Sequence, residues 1–247
     1  MARIAAEHTS LEGKVALVTG GGSGIGKGIA LALAQHGVRV GVCGRRKEKI
    51  EATAHQIRIA GGEATALQAD ISQFEAAERV VHASLRAYGR IDILVNNAAI
   101  DGGGEIHTHD LVDWKRIMAI NLDGAFYMTR AVLPHMREAG SGQIINISSE
   151  SGLEHYQGDG AYGVSKHALN ALGEYVQREN QDFNIRVSTI CPGMVVTEMT
   201  QDSPGLDHEK CLYPEDIAEL AIWLLSRRSN IKIGTPILIQ TMLNPWA

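Results

Sequence analysis

The sequence predicts an α/β fold, a single domain built on a doubly wound parallel sheet. Three observations carry that expectation. Short apolar runs alternate with longer segments of helical periodicity from about residue 14 to residue 240. The short runs are almost continuously apolar, as strands are when helices cover both faces of a sheet. The first run opens straight into a glycine-rich turn and then a helix.

Taken in order, a polar leader over residues 1–10 is expected to be flexible, and it lacks the apolar core of a secretory signal. Residues 14–19 read as a buried strand. The turn Gly20-Gly21-Gly22-Ser23-Gly24-Ile25-Gly26 follows. Ile25, Ile29 and Leu33 then recur at helical spacing up to Gly37, a helix stop. Residues 38–43 give a second strand, followed by Gly44-Arg45-Arg46 and a polar helix. A third strand over 64–69 ends at Asp70-Ile71, and the next helix carries Ala77, Val80, Val81 and Leu85 on its apolar side. Residues 91–95 form the fourth strand, closing on Asn96-Asn97-Ala98-Ala99. An irregular loop with Gly102-Gly103-Gly104 and His107-Thr108-His109 leads to one helix expected over 114–136, with Asn121 in its middle. The remaining elements are a strand over 143–148, a helix from Tyr162 and a strand over 185–191 ended by Pro192-Gly193. A helix over 214–226, with proline at its start and acids in its first turn, precedes a short strand over 235–240. No linker, repeat or low-complexity stretch interrupts the series, so residues 1–247 are expected to form one domain.

Composition narrows the function. A hydrophobic content of 45% and a charged content of 21% describe a globular chain able to bury a full core. The net charge of −5 leaves no basic footprint for nucleic acid. No run approaches the ~18 apolar residues of a membrane span. The three cysteines, Cys43, Cys191 and Cys211, are odd in number and not closely spaced. Cys43 and Cys191 lie in apolar runs and read as core thiols, which suits a reducing cytoplasm.

Two stretches carry chemistry. Glycines let a backbone approach a pyrophosphate closely, and a helix N-terminus offers unpaired N–H groups. Strand, glycine turn and helix together therefore read as a dinucleotide-binding element, although a glycine run alone is more often a plain turn. The second stretch, residues 146–166, reads NISSESGLEHYQGDGAYGVSK. Tyr162 and Lys166 fall one helical turn apart on the same side. A nearby cation favours a phenolate and brings proton transfer nearer to working pH. Ser149, at the end of the preceding strand, could hold a substrate oxygen beside the phenol. The pair by itself would pass for an exposed lysine beside a half-buried tyrosine. It gains weight because the glycine turn, Arg45, Asp70, Asn97, Ser149 and Pro192-Gly193 all fall at strand carboxyl ends, where such sheets bind ligands.

The ordered set Thr19-Gly20-x-x-x-Gly24-x-Gly26, Asn96-Asn97-Ala98, Asn121, Ser149, Tyr162-x-x-x-Lys166 and Pro192-Gly193 resembles the short-chain dehydrogenase/reductase family from Leu11 to about Leu243. The thirteen-residue step from Ser149 to Tyr162 matches as well. The resemblance implies a Rossmann fold and a ketone–alcohol oxidoreductase using a nicotinamide dinucleotide. Tyr162 would be general acid in reduction and general base in oxidation. Lys166 would depress the Tyr162 pKa and hold the nicotinamide ribose, and Ser149 would bond the substrate oxygen. Asn121 would bend its helix and hold a water in a proton relay from Lys166. Gly20, Ser23, Gly24, Ile25 and Gly26 would meet the phosphates, Asp70 and Ile71 would flank the adenine, and Asn97 and Ala98 would line the adenosine ribose side. Val195 and Thr197 would meet the carboxamide. A homotetramer or homodimer is implied too. A non-catalytic sensor or scaffold of the same fold is the alternative, but it would be expected to have lost one of Asn121, Ser149, Tyr162 or Lys166, and all four are present. A metal hydrolase is more distant, since the histidines show no His-Glu-x-x-His spacing.

The cofactor expected is NADP(H). Gly44 stands where a chain selecting NAD places a carboxylate, and Arg45-Arg46 follow at once. An arginine fork matches a 2′-phosphate in geometry and charge. Arg45 is the better placed of the two. The chain departs from the family pattern at Ala99, where a glycine is usual, and in its tail, which lacks Asp-Gly-Gly. The segment 199–213 is short for a substrate lid, with Pro204-Gly205 marking a turn. Glu150, Glu154, His155, Tyr156, Gln157 and Asp159 beside Ser149 point to a small polar carbonyl or alcohol as substrate.

Overall fold

The computed structural model describes residues 9–246. Most of the leader expected at 1–10 lies outside the described residues. Thr9 donates its N–H to the Ser226 carbonyl at 2.8 Å, and Leu11 is buried.

Seven parallel strands form one sheet in the order β3-β2-β1-β4-β5-β6-β7. They are β1 (Val15–Thr19), β2 (Arg39–Gly44), β3 (Ala64–Gln68), β4 (Ile93–Asn96), β5 (Gly142–Ile147), β6 (Ile185–Pro192) and β7 (Ile237–Ile239). The chain winds outward from β1 to β3, then crosses back to lay β4 on the other side of β1. Adjacent strands leaving in opposite directions open a crevice at their carboxyl ends, and that is where ligands enter such sheets. The registers Thr19↔Cys43 and Val18↔Val95 bring the tips of β1, β2 and β4 level at its floor. Thr19 locks the centre, its hydroxyl donating to Val95 O at 3.1 Å and accepting from the Asn97 and Ala98 N–H groups at 3.0 and 3.1 Å.

The helices cover both faces because each strand's side chains alternate between them. On one face α1 (Gly24–Gln35), α2 (Lys47–Ile59) and α7 (Pro214–Leu225) bury Ile29, Leu33, Ile50, Ile57, Ile217 and Leu225 against the strand residues Ala16, Val18, Val42 and Val95. On the other, α3 (Phe74–Tyr88), α5 (Gly124–Ala139) and α6 (Gly160–Asn180) bury Val80, Val81, Met128, Val132, Met136 and Val176 against Leu17, Leu94 and Ile144. All three cysteines are free and buried.

One expected element is corrected. The single helix over 114–136 is two helices joined by a wider turn: α4 (Leu111–Met118), a π-helical turn over Ala119–Asp123, and α5. It starts earlier because Asp110 caps it, its carboxylate accepting from the Val112 and Asp113 N–H groups at 2.8 and 3.0 Å. It runs on to Ala139 because Gly140, at φ +62, is the first residue to leave the helical region. Residues 199–213 hold turns and a short 3-10 turn at His208–Lys210.

Candidate active site

The glycine turn nests against the tip of β4. Gly20 has φ +65, and a Cβ there would lie 2.9 Å from Ala98 Cα; a Cβ on Gly26 would lie 2.5 Å from Gly20 O. No side chain fits at either position. The Asn97 amide spans the same gap, donating to Thr19 O at 3.0 Å. Ser23, at the N-cap of α1, makes no capping bond, which leaves the N–H groups of the first turn without a side-chain partner among the described residues.

Above this turn lies a cleft of about 970 Å³ including its open mouth. Gly20, Ser23, Gly24, Ile25, Arg45, Arg46, Asp70, Ile71, Asn97, Ala98 and Thr197 all line it. Gly26 lies beneath the turn rather than in the cleft wall. Val195 is 4% exposed, with its side chain in the core. Thr197 meets the cleft, its methyl 3.2 Å from where a Cβ on Gly24 would be. Asp70 accepts from the Ser72 hydroxyl at 2.8 Å, which fixes its carboxylate at the end of β3.

At the end of β2, Arg46 reaches across to the glycine turn, donating to Ser23 Oγ at 2.8 Å. It also pairs with Glu198 at 2.8 Å, and Lys49 reaches the other oxygen of that carboxylate at 2.6 Å. Arg45 lines the cleft beside them. Sequence reasoning places Arg45 ahead of Arg46, whereas in the structure Arg46 makes the contacts with the turn. It misses Lys49 and Glu198. Lys49 falls one helical turn after Arg46, a signal present in the sequence. Glu198 lies 152 residues from Arg46, and no local pattern connects them.

A second cluster lies at the carboxyl ends of β5 and β6. The α6 helix carries Tyr162 and Lys166 one turn apart, and the Ser149 hydroxyl lies close enough to the Tyr162 phenol to favour its ionised form. Lys166 is 2% exposed, and its ammonium donates to Ile147 O at 3.0 Å. It lies 5.4 Å from the centre of the Tyr162 ring. Among the described residues the Ile147 carbonyl is its one hydrogen-bond acceptor, so two of its three donors remain. Burial pushes the Lys166 pKa down to about 8. Burial pushes the Tyr162 phenol up, the Ser149 hydroxyl opposes this, and the charges of Asp101 and Asp159 reinforce it. The net direction for the phenol is upward, with burial as its main cause.

Asn121 sits in the π turn and is 1% exposed. Its amide donates to Ile100 O at 2.9 Å and Ser165 Oγ at 3.1 Å, and its carbonyl accepts from Ile100 N at 2.9 Å. It thus ties the loop after β4 to the turn of α6 that holds Lys166. Around the mouth, Glu154, His155, Tyr156 and Gln157 are exposed or partly so. Glu150 and Asp159 are half-buried, and burial raises both carboxyls. His107 is exposed and within 3.4 Å of Glu105, while the His109 ring packs edge-on against Trp114.

The sequence matches the family described as short chain dehydrogenase over residues 14–205. An uncharacterized oxidoreductase of Staphylococcus aureus (strain MRSA252) is 32% identical over 226 residues, covering 92% of this chain and 96% of the relative. One from Staphylococcus saprophyticus is 35% identical over 227 residues, covering 91% and 96%. A crystal structure of a metagenomic short-chain oxidoreductase in complex with NADP superposes with a TM-score of 0.84 at 35% identity, covering 95% of this chain and 100% of that one.

Proposed function

Because the chain belongs to the short-chain dehydrogenase family and is an oxidoreductase of it, we propose that it interconverts a carbonyl and a secondary alcohol on a small polar substrate, using NADP(H). The observation that carries the reaction is the Ser149–Tyr162–Lys166 group at the carboxyl ends of β5 and β6. The Tyr162 phenol, neutral at working pH, donates its proton to the carbonyl oxygen in reduction. In oxidation the Tyr162 phenolate takes the proton from the alcohol and becomes the neutral phenol. Ser149 orients that oxygen through the hydroxyl that lies beside the phenol. Lys166 has two donors to spare for ribose hydroxyls and supplies positive charge beside the phenol when the oxygen becomes negative. Asn121 holds the loop after β4 against α6, which keeps Lys166 in position. A bound nicotinamide would give or accept the hydride.

The residues fit a dinucleotide. Gly20 and Gly26 bring backbone close to the cleft, and the first turn of α1 has N–H groups without a side-chain partner among the described residues. Arg45, Arg46 and Lys49 line the end of β2, where Gly44 replaces a carboxylate; this supports a 2′-phosphate. The solved relative bound to NADP supports the same choice. A sensor without catalysis has no observation in its favour.

The test is a screen of small polar ketones and secondary alcohols, following nicotinamide absorbance with both cofactors. Efficiency with NADP(H) is expected to exceed that with NAD(H) on the order of tenfold to a hundredfold, the scale of one hydrogen bond to a charged group. Tyr162→Phe should lower turnover by roughly a hundredfold to ten-thousandfold with cofactor affinity nearly unchanged. Near wild-type turnover in that variant would sink the mechanism, and equal or better efficiency with NAD(H) would sink the cofactor assignment.

A further inference from the structure

We propose that Glu198 is an internal stand-in for the cofactor's 2′-phosphate, seated between Arg46 and Lys49, and that Lys49 is a third cation of that subsite. The inference rests on the NADP(H) reading above and adds to it how the subsite is guarded. The carboxylate of Glu198 divides its oxygens between two cations, Oε2 on Arg46 at 2.8 Å and Oε1 on Lys49 at 2.6 Å. The second arm of Arg46 holds Ser23 Oγ at 2.8 Å. An anion therefore already sits where two cations converge, one of them also tied to the glycine turn through Ser23. A phosphate monoester makes the same demands with more oxygens and more charge. Lys49 is in place because α2 packs directly on the turn: a Cβ on Gly22 would lie 2.9 Å from Lys49 Cβ.

The pairing is built to exchange. The side chains of Arg46, Lys49 and Glu198 are 57%, 49% and 40% exposed, and ion pairs so open to water contribute little each. The two cations hold the Glu198 carboxyl below its ordinary range, so it remains an anion at neutral pH. Since both anions need the same cations and repel each other, a 2′-phosphate takes the seat only by moving Glu198 out. Glu198 follows directly on Thr197, which packs over Gly24, and leads into the turns after Met199. Displacing it frees the segment between the cofactor cleft and the chain's return through Leu212. A dinucleotide without the phosphate leaves the latch closed. Glu198 thus lowers affinity for the phosphorylated ligand and couples its arrival to movement of residues 197–205.

The experiment is calorimetric titration of the full chain with adenosine 2′,5′-bisphosphate and with 5′-AMP, on the wild type, Glu198→Gln and Lys49→Met. Hydrogen exchange of residues 197–205 in the wild type is followed with each probe. Glu198→Gln should bind the bisphosphate on the order of tenfold more tightly, and Lys49→Met about tenfold more weakly, with 5′-AMP unchanged in both. Exchange over 197–205 should rise with the bisphosphate and stay constant with 5′-AMP. If the wild type prefers the bisphosphate but Glu198→Gln binds it no better, or if exchange does not respond, the latch is wrong while the NADP(H) reading stands. Equal affinity of the wild type for both probes would overturn the reading and the latch together.

Discussion

Lys166 shows how a functional residue can work against the fold that holds it. Its ammonium is buried with one hydrogen-bond acceptor, and its pKa falls from the ordinary 10.5 to about 8. Below pH 8 both the folded and the unfolded chain carry the charge, and folding bears the whole cost of burying it. Between about 8 and 10.5 the unfolded chain binds a proton that the folded chain has released, so stability rises with pH there. Above both values the cost is gone. A shift of this size corresponds to roughly 3 kcal/mol at neutral pH. Lys166→Met, which keeps the length and removes the charge, should therefore stabilise the cofactor-free protein at pH 7 by about 1–3 kcal/mol while abolishing turnover. The lower figure allows for the Ile147 carbonyl left without its donor. Urea unfolding at pH 7 and pH 10.5 checks this, and a gain that does not shrink at the higher pH would mean that charge is not its source. The Tyr162–Lys166 pairing is legible from a four-residue spacing. The direction of the phenol's shift is not, because it is set first by the burial of the phenol, which only the tertiary fold decides.

At the scale of elements, the π turn Ala119–Asp123 is the hardest part of the sequence to read. Apolar periodicity runs through it, so 114–136 reads as one regular helix. An inserted residue widens a turn without changing which residue types occupy it, and such turns cluster at functional sites. What it accomplishes is visible at Asn121, whose amide meets both polar groups of Ile100 and reaches Ser165. Asn121→Ala should leave those two backbone groups without their partner at about 1–3 kcal/mol each where water cannot replace it. A net loss near 2 kcal/mol lowers Tm by roughly 4–8 °C for a chain of this size. Activity should fall further than the stability loss explains, because the loop beside Tyr162 is released from α6. Calorimetry and turnover measured well below Tm separate the two effects; an unchanged Tm would show that the tie carries no load. The strands are the easiest elements to read, since a sheet covered on both faces requires unbroken apolar runs. The start of α4 at Leu111 escapes the sequence pattern because Leu111 and Val112 are 75% and 74% exposed and fit no buried stripe.

For the whole molecule, alternation of strand and helix is enough to give the parallel sheet, and the glycine turn is enough to mark its binding edge. The contacts that complete the cleft, such as Glu198 with Arg46, depend on the tertiary fold. The outer surface adds one more consequence. Phe126 on α5 and Val164 and Tyr175 on α6 are 44%, 44% and 67% exposed, although both helices already cover the sheet with Met128, Val132, Leu169 and Val176. Helices that need only one buried stripe usually make the opposite face polar. Large apolar side chains on that face fit contact with a second copy, and a stable contact of this kind buries upwards of about 1,000 Å². Light scattering at micromolar protein should then give a mass at least twice 26.6 kDa. Tyr175→Asp, which places a charge in the middle of the proposed contact, should shift the population toward the single chain without unfolding it, since Tyr175 lies outside the buried core. A wild type that scatters as a 26.6 kDa species would show that these side chains are simply exposed. A multimer unaffected by Tyr175→Asp would place the interface on another face.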